Sequence, residues 1–113
     1  MDELIYQVRQ NINEVTTDRF EDHQIQSVIE QYPIPDNDWK YPDEEGWIPT
    51  YDLNRATQML WLRKASLFSE DFDFQADGAS YSRHQKYKHA LNMASRYGSM
   101  ALAETIKMRG KNA

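Results

Sequence analysis

Every proline in the chain falls within one short stretch: Pro33, Pro35, Pro42 and Pro49. Proline has no N–H to donate and pushes the residue before it out of the helical region. No helix can run through 33–50, so helices are confined to the proline-free flanks on either side. The stretch is also acidic and holds Trp39, Tyr41 and Trp47. It predicts an extended loop. Loops of this length inside a small domain are usually functional or disordered, and three large rings argue against disorder. The rings either pack back on their own domain or anchor a partner, since interfaces are enriched in aromatic side chains.

The flanks carry helical periodicity. Leu4, Ile5, Val8, Ile12 and Val15 recur at i, i+3/4 and predict a helix over 2–15. Thr16, Thr17 and Asp18 interrupt it. Asp18 with Glu21 fits a capping box, with Asp22 as a competing cap, for a helix to about Tyr32 that buries Ile25, Val28 and Ile29. Thr50 or Asp52 caps a third helix ending near Ser69. Its apolar face is broad: Leu53, Ala56, Met59, Leu60, Leu67 and Phe68, widened by Trp61 and Leu62.

At 71–81 the period changes to two: Asp71-Phe72-Asp73-Phe74, then Ser80-Tyr81-Ser82, around the turn signal Asp77-Gly78. This predicts a small hairpin-like excursion. Ser82-x-x-Gln85 reads as a second capping box, opening a last long helix to about Met108. Ala90, Ala94, Gly98 and Ala101 make its stripe small enough for close packing, with Tyr87 and Leu91 on the same stripe and Met93, Tyr97 and Met100 beside it. Gly110 is the expected stop, leaving 109–113 as a loose tail. The expected fold class is mainly α, a small bundle of about four helices in a single domain of 113 residues.

Composition narrows the function. Without cysteine there is no disulfide framework and no thiolate metal site, which fits an intracellular origin. The start at Met1-Asp2-Glu3-Leu4 has no basic, apolar leader, so no secretory signal is expected, and no apolar run is long enough for a membrane span. Residues 1–54 carry 13 acids and 3 bases, residues 55–113 carry 5 acids and 10 bases. Such asymmetry suggests a charged partner or an assembly in which unlike ends meet; a solvated surface with chance clustering is the alternative.

No catalytic constellation is apparent, and no cofactor, metal or enzymatic activity is expected. The phosphate-cradling glycine motifs and the nucleophile elbow are missing. His84 and His89 are five apart, not on one helical face. Asp71, Asp73 and Asp77 do not follow a calcium-loop spacing. Arg83, Lys86 and Lys88, interleaved with Tyr81 and Tyr87, give the last helix a basic start that admits a nucleic-acid reading. Against it stands a sequence pI near 5.1. Basic residues at a helix start are disfavoured by the macrodipole, so an acidic partner surface or tertiary pairing also fits.

From Tyr51 to Met108 the sequence resembles the head–tail connector (adaptor, head completion) proteins of tailed bacteriophages. Many of these carry a helix, then a D-F-x-x-D-G-x-S-x-S-R-x-Q-like segment, then a long Ala-rich helix. Here the segment runs from Asp73-Phe74 through Asp77-Gly78 and Ser80-Tyr81-Ser82-Arg83 to Gln85, and Phe20 to Ile25 is similar to the helix start these proteins use. The 33–50 loop is longer than the family pattern. The resemblance implies a structural virion protein with no catalysis. It would form an oligomeric ring, usually dodecameric, at the head–tail interface, assembled in the host cytoplasm. The implied partners are the portal protein, a stopper or tail-completion protein, further copies of itself, and genomic DNA passing through the channel without sequence specificity. Carried onto this chain, the portal-contact candidates are Met108, Arg109, Gly110, Lys111, Asn112 and Ala113. Candidates for inter-subunit or partner contact are Trp39, Tyr41, Trp47, Phe72, Phe74, Tyr81, Arg83, Lys86 and Lys88.

Overall fold

The computed structural model describes the backbone of residues 1–73 and 78–112, and the side chains of 1–69 and 84–103. Within them the chain is mainly helical, as expected: α1 (Asp2–Asn11), α2 (Asp22–Ile29), α3 (Leu53–Asp73) and α4 (Gly78–Asn112). It divides into two compact units, Met1–Ala56 and Thr57–Ala113.

In the first unit, α1 and α2 pack together and bury Ile5, Val8, Ile12, Phe20, Ile25, Val28 and Ile29. The expected helix over 2–15 stops early, at Asn11. Asn13 adopts the left-handed conformation (φ 57), Asn13 N donates to Gln10 O and Glu14 N donates to Arg9 O at 2.9 Å. These two bonds form a Schellman ending, for which asparagine is the usual substitute for glycine. Val15 therefore leaves the apolar stripe and is 69% exposed. The start of α2 also differs from expectation. Asp18 accepts from Thr16 Oγ1, and Asp22 is the first helical residue. The N-cap is Glu21, whose N–H is received by Gln24 Oε1 at 2.8 Å.

Arg9 was not foreseen as a core residue, yet it is 5% exposed. Its Nε and one terminal nitrogen both donate to Asp22 Oδ1, the second at 2.6 Å. The other bonds go to the carbonyls of Phe20, Glu14 and Thr16 at 2.8, 3.0 and 2.7 Å. All five donors of the guanidinium are thus spent, and they tie the whole α1–α2 connection to one side chain.

Of the two expected caps for α3, Asp52 is the one used: its Oδ1 accepts from Arg55 N at 2.9 Å. The buried positions inside the second unit are Thr57, Leu60, Trp61, Lys64 and Ala65 on α3, spaced i, i+3, i+4, i+7, i+8 as a helical core stripe requires. Leu62 and Leu67, expected on that face, are 39% and 40% exposed. Trp61 meets the His89 ring edge-on at 5.6 Å between centroids, and Lys64 Nζ stands 4.3 Å over the indole.

On α4, Ala90, Ala94 and Ala101 are buried, as their small size predicted. Gly98 has a packing reason too: a Cβ there would stand 2.9 Å from Gln58 Cδ, while Gln58 Oε1 is buried without a hydrogen-bond partner among the described residues. Because the obstacle is one flexible side chain, the two sites are coupled. Gly98→Ala should gain about 1 kcal/mol of stability in a Gln58→Ala background, the full helix-propensity difference, and measurably less in the native background. Equal gains in urea titrations of both backgrounds would show that Gln58 does not crowd Gly98.

Two expected boundaries of the last helix move. α4 begins at Gly78, so Ser82-x-x-Gln85 lies inside the helix and not at its start. No proline or further glycine separates Gly78 from Ser82, so nothing prevents an earlier start. Gly110 does not stop α4, which continues to Asn112; a glycine ends a helix only by turning left-handed, and remaining helical costs it only about 1 kcal/mol. The hairpin-like excursion over 71–81 has its centre, 74–77, outside the described residues; the flanking backbone is helical on both sides.

Candidate interaction surface

The segment between α2 and α3 is an ordered loop with a closed neck. Asp52 N donates to Tyr32 O at 2.8 Å and Ile34 N to Thr50 O at 2.9 Å, making an antiparallel bridge at Pro33 and Tyr51. A loop whose ends meet in this way can hold its own shape.

Inside the loop the organiser is Asp36, which is 5% exposed. Its Oδ1 accepts from Asp38 N and Lys40 N at 2.9 and 3.0 Å, and its Oδ2 accepts from Ile48 N at 2.9 Å. Asp36 N in turn donates to Lys40 O, and Trp39 N to Asp36 O. Asp36 and Lys40 therefore pair across a three-residue turn, and the carboxylate also fastens the far arm at Ile48. The third residue of such a turn is left-handed and usually glycine. Here it is Trp39, at φ 61. A bulky residue held there stores about 1–3 kcal/mol of strain, which the surrounding bonds sustain.

The rest of the loop closes on the same frame. Trp47 Nε1 donates to Ile34 O at 3.0 Å and its ring meets Tyr51 edge-on, 6.0 Å between centroids. Gly46 has φ 86 in the turn closed by Trp47 N and Glu44 O, and Lys40 Nζ lies 2.6 Å from where a Cβ would be.

This geometry sorts the candidates. Trp39 and Trp47 are half-buried, and Trp47 is tied into the loop, so packing back onto the unit accounts for it. Tyr41 is 48% exposed. Ile48, which sequence reasoning did not single out, is 62% exposed, and no periodicity in a loop could have marked it. Asp38, Asp43, Glu44 and Glu45 are exposed around them. The loop presents apolar side chains in an acidic setting on a backbone that is already fixed, so a partner need not bear the entropy of ordering it.

In the second unit, Lys86 and Lys88 are exposed. The side chains of Phe72, Phe74, Tyr81, Arg83 and 108–113 lie outside the described residues. The Asp71, Asp73 and Asp77 carboxylates also lie outside them. Among the described residues no three histidine or carboxylate groups converge at metal-binding distance, and no helix is long and apolar enough to cross a membrane.

The Asp36 carboxyl is held below its ordinary value of 3.8, first by the Ile48 N–H, against the opposing effect of burial, then by the N–H groups of Lys40 and Asp38 and the Lys40 charge. A lowered carboxyl contributes stability above its unfolded value and loses it as pH falls through the folded one. The loop should therefore hold at neutral pH and loosen only below pH 3.8. Asp36→Asn replaces one accepting oxygen by an NH2 that faces a backbone donor. It should speed amide exchange at Asp38, Lys40 and Ile48 at pH 7 by about tenfold or more, and abolish the acid-dependent loosening. Unchanged exchange in the variant would show that the neck and Trp47 alone hold the loop.

Comparison with protein-family models, curated proteins and solved structures finds no match for this chain.

Proposed function

We propose that this chain is a non-enzymatic structural adaptor: a virion protein that forms an oligomeric ring between the portal and the tail or stopper of a tailed bacteriophage and extends the DNA channel. The observation that carries it is the order of elements along the sequence. α3 ends on Asp73, the first residue of the D-F-x-x-D-G-x-S-x-S-R-x-Q run, and a helix of 35 residues, α4, begins within that run at Gly78. The Asp36-organised loop adds support. It is a fixed, partly apolar surface without a catalytic constellation, suited to holding a protein rather than transforming a substrate. The unequal charge of the two parts of the chain suits contact between unlike surfaces of neighbouring copies.

The test is to mix the purified chain with portal rings or tailless DNA-filled heads and image the product by cryo-electron microscopy. An added ring beneath the portal, with the end of α4 near it, is the expected result, and deletion of Met108–Ala113 should weaken that attachment at least tenfold while leaving the far-UV signal of the fold unchanged. No added density, together with tight salt-sensitive binding to duplex DNA, would overturn the adaptor and favour a DNA-binding module using Lys86 and Lys88.

A further inference from the structure

The first unit carries a second surface feature, built from other residues than the loop. An open hollow of about 300 Å³ lies between α1 and the segment that follows its Schellman ending. Ile5, Tyr6 and Val15 supply its apolar wall, and its charged groups are Arg9, Asp2 and Asp22.

An arginine lining a hollow ordinarily points to an anionic ligand. Here it does not, because all five donors of Arg9 are already engaged within the unit. The acceptors are what remain. Both bonds from Arg9 to Asp22 fall on Oδ1, and among the described residues no hydrogen bond engages Asp22 Oδ2 or the Asp2 carboxylate. The Asp22 side chain is 68% exposed despite the pair. Beside these acids, Tyr6 and Val15 are 61% and 69% exposed. The surrounding stretch, residues 1–22, holds six acids and two bases.

An apolar wall next to unspent carboxylates fits one kind of side chain: a long aliphatic stem ending in a cation. We propose that this hollow receives a lysine or arginine side chain from a basic segment of a protein partner. The stem lies on Tyr6 and Val15, with the cation also facing the tyrosine ring, and the charge meets Asp2 and Asp22. The assignment stands apart from the adaptor function and survives or fails without it.

The test is a titration of the full, 15N-labelled chain with a synthetic peptide of sequence Thr-Ile-Lys-Met-Arg-Gly-Lys-Asn-Ala, the stretch 105–113 of this chain, used as a probe carrying three cations. A control peptide has glutamate at those three places. The expected result is a set of amide shifts centred on Asp2–Tyr6 and Val15–Thr17, weakened by added salt. Asp2→Asn and Val15→Ala, both at exposed positions that leave Arg9 and its partners intact, should each reduce the affinity at least threefold. No shifts with the basic peptide, equal shifts with the glutamate peptide, or shifts confined to the 36–48 loop would each overturn the proposal.

Discussion

Trp61→Ala should destabilise the second unit by about 3–5 kcal/mol, the range for removing a buried large aromatic side chain. Trp61 is 2% exposed and the largest of the fully buried side chains. The substitution removes more than transfer free energy. Among the described residues the buried positions of α4 are alanines, whose short side chains cannot extend to fill a vacated space, so the cavity persists. It also removes two contacts made by the indole. Lys64 is 5% exposed and loses the ring beneath its ammonium; His89 loses its edge-on contact. Total stabilities of small domains are about 5–15 kcal/mol, so the variant should sit near the edge of folding. Urea denaturation followed by far-UV circular dichroism measures the loss. Trp61→Phe keeps a ring under Lys64 and should cost less than half as much. A loss below about 1.5 kcal/mol for Trp61→Ala would mean that the unit collapses onto the gap and that the indole is not its keystone.

Arg9→Ala should destabilise the first unit by about 3 kcal/mol, because the buried Phe20 carbonyl is left without a donor, at about 1–3 kcal/mol, and the part-buried carbonyls of Glu14 and Thr16 are only partly compensated by water. The carbonyls of Glu14, Thr16 and Phe20 lose their donor together. The ion pair with Asp22 is a lesser contribution. Its carboxylate is 68% exposed and returns to water when the arginine is gone, so Asp22→Asn should cost no more than about 1 kcal/mol. Arg9→Lys should recover little, since an ammonium offers three donors from a single point where the carbonyls are met by a planar fork. The discriminating comparison is Arg9→Ala against Asp22→Asn in the same thermal or urea unfolding assay. Equal losses would assign the stability to the ion pair instead of to the carbonyl clamp.

The adaptor proposal and the loop geometry make different demands on the same residues. A docking surface must be exposed, whereas a loop holding its own shape must bury something. Asp36, Trp39 and Trp47 meet the second requirement and Tyr41 and Ile48 the first. Variants at Tyr41 and Ile48 therefore separate partner binding from folding, and variants at Asp36 do not.

The helical class, the approximate places of α1 to α4 and the break imposed by four prolines follow from the sequence alone, because periodicity and missing N–H donors act locally. The small stripe of Ala90, Ala94 and Ala101 was legible for the same reason. Helix ends were less so. Asn13, Glu21 and Gly78 set boundaries that Val15, Asp18 and Ser82 were expected to set, since several caps compete within one turn of chain and the surrounding packing selects among them. Arg9 and Asp36 were not legible at all. Nothing in the pattern of neighbours marks a charged residue as buried; that depends on carbonyls brought to Arg9 from 5 to 11 residues away and on amides brought to Asp36 from as far as 12. The sequence determined which segments become helices. Only the tertiary structure decided that one arginine and one aspartate hold the connections between them, because hydrogen bonds to backbone groups carry no signature in side-chain identity.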